Sequence, residues 1–219
     1  MAGERAVRKL LQRLSGFHLT DEKEAGAENS AFFSTLFQER NEDEQLLSTW
    51  ETRATQVHAE ACERSRGVEL LKRLLRDDRH LAALSGQDLE RLCGFLEFAR
   101  VAANQEVIGQ DEQGDYLVIV LDGTLAVDRV QPWGGRARLA EAHAGDMLGE
   151  MSLLDAGARF SACTTLTPAL LAVLDARRLD ELVARHPRLA LALMGSLSRR
   201  LSLRLRQVSA RLSALLSRS

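Results

Sequence analysis

The sequence is poor in cysteine and has no long hydrophobic run, and both shortages exclude classes of protein. Its three cysteines, Cys62, Cys93 and Cys163, show no CxxC spacing, which argues against a disulfide framework and against a zinc site. No run of about 18 apolar residues is present, so we expect no transmembrane helix. The first residues lack the apolar core and cleavage site of a signal peptide. Together these shortages predict a cytoplasmic protein.

Net charge is also nearly absent, at −2 over 219 residues, so the chain as a whole is not attracted to nucleic acid. The charges are unevenly distributed, however. Residues 20–63 hold eleven acidic and three basic residues, whereas residues 176–219 hold ten arginines and two acidic residues. The two segments could attract each other within one chain or across a dimer, or could be two solvated helix faces.

Catalytic and metal-binding motifs are missing as well. The sequence contains no G-x-x-x-x-G-K-[ST], no H-E-x-x-H and no G-x-S-x-G, which are patterns of phosphate-binding loops, zinc proteases and hydrolases. The histidines are scattered and form no metal-ligand spacing. We therefore expect no enzyme activity, no catalytic residue, no metal site and no cofactor.

The first 80 residues are predicted to form a helical extension. Residues 4–14 place apolar side chains on one face and basic ones around it, a pattern that suits packing on the protein itself, docking on a partner or peripheral contact with a membrane. Residues 20–30 have almost no large apolar side chain and are predicted to be a linker. Residues 43–79 carry an apolar stripe that predicts a helix, either for dimerisation or partner binding, or for covering one face of a barrel.

A run of short strands is predicted after this extension. Ser85 and Asp88 look like a helix cap, and turn signals such as Asp122-Gly123 separate the strand-like runs that follow. Many short strands at even spacing indicate a sandwich or jelly roll. The chain then returns to helix, and Pro187 suits the first turn of a long helix that runs to the C-terminus. The predicted strands are 98–102, 106–109, 115–121, 124–130, 136–142, 159–166 and 169–175.

Residues 147–163, MLGEMSLLDAGARFSAC, combine side chains that suit a sugar and a phosphate. The Glu150 carboxylate can accept hydrogen bonds from sugar hydroxyls, and Arg159 can donate two hydrogen bonds to a phosphate. The small residues 156–158 between them let backbone N–H groups approach the same anion. This segment could therefore hold a sugar and a phosphate side by side.

Three motifs in this part of the chain resemble those of the cyclic nucleotide-binding domain family, which includes the Crp/Fnr regulators. Residues 147–163 resemble its phosphate-binding cassette, residues 114–123 its G-D hairpin, and residues 144–146 the turn before the cassette. The resemblance covers about residues 80–217. It implies an α+β fold, with a β-roll or jelly roll flanked by N-terminal helices and a long C-terminal helix.

The resemblance also implies three regions and a ligand. Residues 1–80 would be the helical N-terminal extension, residues 81–186 the cyclic nucleotide-binding β-roll, and residues 187–219 a helix that dimerises or closes as a lid. The ligand would be cAMP or cGMP. Glu150 would accept a hydrogen bond from the ribose 2′-hydroxyl, and Arg159 would pair with the cyclic phosphate.

Further residues of the implied site surround these two. Backbone N–H groups near Ser161 and Ala162 would complete the anion site. The other positions of the implied site are Gly149 and four apolar residues that would form its walls. These four are Val118, Val120, Leu148 and Met151.

Two positions depart from the family pattern. Phe160 stands where the family has Ser, Thr or Ala, so its ring could fill the pocket, or it could turn outward while Ser161 takes over. Arg204 stands where a Thr-Ser pair reads adenine, and it could lie over the purine as a cation–π lid or belong to a solvated helix face. Alternatively, Glu150 could pair with Arg159 directly, leaving a fold without a ligand.

The last helix carries an apolar seam at spacings of three and four residues. This seam could pair with its twin in a homodimer, or the helix could fold onto its own roll. No helix-turn-helix follows the seam, so we expect no specific DNA binding. The seam residues are Met194, Leu197, Leu201, Leu205, Val208, Leu212 and Leu215.

These observations favour a cyclic nucleotide-binding sensor or adaptor. It would signal to an unidentified protein partner by rearranging its C-terminal helix. Two alternatives stay open: a degenerate fold that scaffolds a complex without binding a nucleotide, and a sensor of another ligand such as a cyclic dinucleotide.

Overall fold

The computed structural model describes residues 31–40, 47–76 and 78–217. The described residues from Ala31 onward form one compact unit. Its helices are α1 (Phe32–Arg40), α2 (Trp50–Gln56), α3 (Arg64–Leu75), α4 (Gly86–Gly94), α5 (Glu150–Asp155), α6 (Ala176–Arg185) and α7 (Pro187–Leu216). Its strands are β1 (Glu60–Ala61), β2 (Glu97–Val101), β3 (Glu106–Ile108), β4 (Tyr116–Asp122), β5 (Leu125–Val130), β6 (Arg136–Ala142), β7 (Met147–Leu148), β8 (Ala162–Thr165) and β9 (Ala169–Asp175).

The strands of the described residues pack as two antiparallel sheets. One sheet has the order β1–β2–β9–β4–β7, and the other has the order β3–β8–β5–β6. Helices flank the sheets, and a long helix follows at the C-terminus. The predicted α+β β-roll is therefore confirmed.

Strand β4 shows where the core lies. Alternate side chains of a strand point to opposite faces of its sheet. Tyr116, Val118 and Val120 pack in the interior between the two sheets, whereas Leu117 and Ile119 pack against the helices that cover the first sheet. Because both faces are covered, the strand reads as a continuous apolar run rather than as an alternating one.

Polar caps hold two of the covering helices. The Ser85 hydroxyl accepts a hydrogen bond from the backbone N–H of Asp88 at 3.1 Å, which confirms the predicted start of α4. Asp180 of α6 accepts hydrogen bonds from the backbone N–H groups of Phe33 and Ser34, both at 2.8 Å. These N–H groups would otherwise lack a partner in the first turn of α1, so Asp180 fastens that helix to α6.

Helix α7 begins at Pro187, as predicted, and has two halves with different surroundings. Leu193 and Leu197 in the first half are buried in the core. Leu205 and Leu212 in the second half are 67% and 55% exposed. The apolar seam therefore packs on the roll at its start and is open to solvent at its end.

All seven predicted strands are present, although one begins late. The run predicted at 159–166 becomes β8 only from Ala162, because Arg159 bonds to a loop instead of a strand. The N–H of Arg159 donates to the carbonyl of Glu112, and the N–H of Asp111 donates to the carbonyl of Arg159, each at 2.8 Å. The sequence patterns do not predict the short elements β1, β7 and α5.

The continuous helix predicted over residues 43–79 is wrong. The structure has α2, the short strand β1 and then α3. His58 has a left-handed backbone, with φ of 50°, and residues 60–61 pair with β2. Strand pairing between the two apolar stretches thus outweighs their helical pattern. Helix α1 is not predicted from the sequence, and the predicted helix at 4–14 and linker at 20–30 lie outside the described residues.

Two sequence expectations concern membranes and thiols. No helix in the described part of the chain is long and apolar enough to cross a bilayer. Cys62 is half-buried, Cys93 and Cys163 are buried, and all three are free thiols.

Candidate functional site

The site begins at a sharp change of chain direction between β7 and α5. Gly149 precedes α5 with φ of 79°, a left-handed conformation that side chains with a Cβ rarely adopt. A Cβ at this position would also lie only 2.5 Å from Nη1 of Arg159. Ala156, the residue that follows α5, has φ of 50° and ends the helix. Glycine is therefore required at 149 both for the turn and for the close approach of the arginine.

Arg159 lies inside the roll, with 1% of its surface exposed. Its Nη1 donates to the carbonyl of Gly149 at 2.7 Å, and its Nη2 donates to the carbonyl of Tyr116 at 2.6 Å. The guanidinium carbon is 4.7 Å from the centre of the Tyr116 ring, a favourable cation–π geometry. Two backbone carbonyls and one aromatic face thus hold this cation.

No carboxylate of the described residues forms an ion pair with Arg159. None of the ion pairs formed among the described residues includes it, and its buried Nε has no hydrogen-bond partner there. Burial lowers the pKa of this guanidinium from its usual range. A buried guanidinium with an unused N–H donor is chemically suited to bind an anion.

Glu150 is the second predicted ligand residue, and it is 2% exposed. Its Oε1 accepts a hydrogen bond from Nη1 of Arg204 on α7 at 2.6 Å. Glu150 thus pairs with Arg204, and not with Arg159 as the ligand-free alternative supposes. Arg204, for which the sequence allows a purine lid or a solvated helix position, has a side chain that is 51% exposed and contacts the carboxylate.

Phe160 does not fill the roll, since its side chain is 55% exposed. The guanidinium of Arg129 lies 4.3 Å from the centre of its ring, and Arg129 also donates to the Phe160 carbonyl. Sequence reasoning misses Arg129, because the pairing of β5 with β8 places it there. The outward-facing alternative for Phe160 is the one that the structure shows.

The remaining predicted site residues divide into buried and exposed positions. Val118, Val120 and Leu148 belong to the core between the sheets. Met151 is 46% exposed and lies on the outer side of α5. Ser161 is half-buried, and Ala162 is buried at the start of β8.

A polar cluster on α7 that the sequence does not predict lies one turn from Arg204. Arg200 donates to the carbonyl of Gly145 at 2.9 Å and to Oδ2 of Asp78 at 3.3 Å, and Ser196 donates to the same Asp78 oxygen. Burial would raise the pKa of Asp78, but hydrogen bonds from Ser196 and the backbone outweigh it and lower the pKa. The four-residue spacing of the two arginines is the available sequence signal.

A separate cavity of about 920 Å³ lies between α2 and one end of the first sheet. Asp115, Asp175, Glu97 and Arg178 are among the residues that line it. Burial and the neighbouring charge of Asp175 raise the pKa of Asp115 to about 6. Within the described ranges, no group of three or more His, Cys, Asp and Glu side chains is placed to hold a metal ion.

Comparison with known proteins agrees with this geometry. Residues 98–186 match the family described as the cyclic nucleotide-binding domain. Together with the two-sheet roll and the cassette, the match supports a cyclic nucleotide-binding domain in this part of the chain.

Particular relatives and solved structures are similar to the chain. It is 34% identical over 95 residues to the CRP-like cAMP-activated global transcriptional regulator of Mycobacterium tuberculosis, an alignment that spans 43% of this chain and 42% of the regulator. The chain thus covers less than half the length of this curated relative.

Two solved structures share the fold. A cyclic nucleotide-binding domain from Methylobacillus flagellatus is 24% identical, with a TM-score of 0.66 over 71% of this chain and 88% of that one. The N-terminal domain of a transcriptional regulator from Streptomyces coelicolor is 27% identical, with a TM-score of 0.53 over 64% and 94% of the two chains.

Proposed function

We propose that the chain binds a cyclic mononucleotide, cAMP or cGMP, and acts as a sensor or adaptor. The observation that carries the proposal is the guanidinium of Arg159, which is 1% exposed and has no carboxylate partner among the described ion pairs. An uncompensated buried charge costs roughly several kcal/mol. A bound phosphate would offset this cost through a charge-assisted contact.

The remaining cassette residues would complete the ligand site. Arg159 would exchange one or both of its carbonyl contacts for the cyclic phosphate. Glu150 would accept a hydrogen bond from the ribose 2′-hydroxyl, and the backbone N–H groups of Ser161 and Ala162 would bind the phosphate from the other side. The exposed ring of Phe160 leaves this approach open.

The signal would pass to a protein partner through two helices. Arg204 connects Glu150 with α7, so that a ligand on Glu150 changes what holds that helix. Helix α1 is attached to α6 through Asp180 and would provide a second route for the signal. Two copies of the chain would pair through the exposed end of the α7 seam.

The proposal is tested by melting curves with millimolar cAMP or cGMP. A ligand at 100 times its Kd stabilises a protein by about 2.7 kcal/mol, which raises the melting temperature of a domain this size by about 5 to 10 °C. Arg159→Lys keeps the charge but loses the forked geometry, so it should cut the rise to about half or less. Arg199→Lys, on the exposed side of α7, is the matched control and should keep it.

One observation favours the scaffold alternative: both ligand residues already have protein partners. Arg159 contacts two carbonyls, and Glu150 contacts Arg204. If the protein is a scaffold, no cyclic mononucleotide changes the melting temperature of the unmodified chain or of Arg159→Lys. A rise with a cyclic dinucleotide alone would instead identify a sensor of that ligand.

A further inference from the structure

The loop between β3 and β4 holds the backbone of Arg159. The N–H of Arg159 donates to the carbonyl of Glu112, and the N–H of Asp111 donates to the carbonyl of Arg159, each at 2.8 Å. Both backbone polar groups of Arg159 are thus bonded to this loop. The position of the loop therefore decides where the guanidinium lies.

The Glu112 side chain in turn connects this loop with helix α2. Its Oε1 accepts a hydrogen bond from the backbone N–H of Gly109 at 2.8 Å, and its Oε2 accepts one from Nη2 of Arg53. The Arg53 and Glu112 side chains are only 11% and 21% exposed, so salt screens this ion pair less than a surface pair. A Cβ at Gly109 would lie 2.6 Å from Oε2 of Glu112, which shows how closely the loop surrounds the carboxylate.

Arg53 has further contacts that fix it in place. Its Nη1 donates to the carbonyl of Glu106, at the start of β3, at 3.3 Å. Burial lowers the pKa of Arg53, but the interactions with Glu112 and Tyr116 outweigh it and raise the pKa. The fold therefore stabilises the charged form that pairs with Glu112.

The same helix contacts the residue that supports the guanidinium of Arg159. Trp50 lies three positions before Arg53, on the same side of α2. The centre of its ring is 5.6 Å from that of Tyr116, and the Tyr116 ring lies 4.7 Å from the guanidinium carbon of Arg159. Helix α2 thus contacts the supports of both the backbone and the side chain of Arg159.

We propose that Arg53 is a positioning residue for the anion site, which fixes Arg159 through Glu112. Arg53 acts on the nucleotide only through Arg159 and does not touch it. A binding site requires its ligand residues to be held by a second set of contacts, and the Arg53–Glu112 pair supplies one. The consequence for nucleotide binding rests on the proposed function, whereas the consequence for Arg159 does not.

The effect on Arg159 is tested without nucleotide, by hydrogen exchange of backbone amides measured by NMR. Arg53→Met removes the ion pair and keeps the length of the side chain, so the amides of Arg159 and Asp111 should exchange roughly tenfold faster relative to the amides of β9. Lys72→Met, which breaks the ion pair of Lys72 with Glu90 between α3 and α4, is the control and should leave this ratio unchanged. An unchanged ratio in Arg53→Met, as from a general loss of stability, would overturn the proposal.

The effect on the ligand is tested by cAMP titration of Arg53→Met, Glu112→Gln and the double variant. Each single variant should bind roughly three- to tenfold more weakly than the unmodified chain, and the double variant no more weakly than the weaker single one, because both changes break one contact. Arg53→Lys restores the charge opposite Glu112 and should bind within about threefold of the unmodified chain.

Two results would contradict this part of the proposal. They are equal affinity for Arg53→Met and the unmodified chain, and a double variant whose loss is the product of the two single losses. If the unmodified chain does not bind cAMP, the proposed function fails, and the amide exchange alone decides whether Arg53 positions Arg159.

Discussion

Arg159 occupies its position because two neighbouring residues have no side chain. A Cβ at Gly114 would lie 2.6 Å from its Nε, and a Cβ at Gly149 would lie 2.5 Å from its Nη1. Both distances are shorter than packed carbon and nitrogen atoms allow. At the scale of single residues, the position of the Arg159 guanidinium is therefore specified by glycines as much as by the arginine.

Asp115, next to Gly114, gives the site a pH-dependent neighbour. Burial, with the charge of Asp175, raises its pKa from 3.8 to about 6. A raised carboxyl pKa favours the protonated form in the folded state, so ionised Asp115 destabilises the fold above about pH 6 and ceases to do so as the pH falls toward 4. At about 1.4 kcal/mol per pKa unit, the difference is roughly 3 kcal/mol.

We therefore expect Asp115→Asn to gain stability relative to the unmodified chain as the pH rises from 4 to 7.5. Urea unfolding at several pH values measures this gain, and roughly 2 to 3 kcal/mol is expected. Asp111→Asn, the same change at an exposed position in the preceding loop, is the control. A constant difference between Asp115→Asn and the unmodified chain at all pH values would contradict the assignment.

At the scale of elements, α7 combines a half that is anchored on the roll with a half that is exposed to solvent. Leu193 and Leu197 are buried against the roll, and Arg200 closes this half with its contacts to Asp78 and Gly145. The second half continues the same apolar spacing in solvent. Exposed leucines in a helical stripe are typical of a surface that pairs with another helix. The residues of this exposed seam are Leu205, Val208, Leu212 and Leu215, which are 67%, 56%, 55% and 68% exposed.

We expect the chain to dimerise through this exposed seam. Leu212→Glu places a charge in the middle of the seam and should convert the dimer to a monomer in sedimentation velocity experiments. Ala210→Glu introduces the same charge on the opposite face of the helix and should leave the dimer intact. A monomeric unmodified chain, or equal masses for the two variants, would contradict the seam as an interface.

At the scale of the whole molecule, local patterns predict the roll, and distant contacts decide the rest. The apolar run of β4 predicts a strand because both faces of that strand are buried, so that consecutive residues are apolar. The turn residues Asp122-Gly123 predict where the strand ends. The pairing of Glu150 with Arg204 joins residues 54 positions apart, and only the final path of α7 brings them together. The same reason explains why sequence patterns do not separate α2 from α3: the pairing of β1 with β2 is a tertiary contact.

In residues 147–163, the sequence predicts the role of some side chains but not the position of others. Glu150 and Arg159 are both buried inside the fold, where the resemblance places ligand residues. The exposed ring of Phe160 lies against the guanidinium of Arg129, which is on strand β5. A side chain that departs from a family pattern is therefore positioned by its neighbours in space, and a single sequence does not contain their arrangement.

Titration calorimetry of cAMP into the unmodified chain and into Arg159→Lys tests the central claim most directly, because it measures the contact between the buried guanidinium and the cyclic phosphate. The account predicts saturable binding at one nucleotide per chain, and affinity at least roughly tenfold weaker for Arg159→Lys, as expected when a charged hydrogen bond is lost. Arg199→Lys should bind as the unmodified chain does. Absence of binding by the unmodified chain, or equal affinity for Arg159→Lys, would contradict the account.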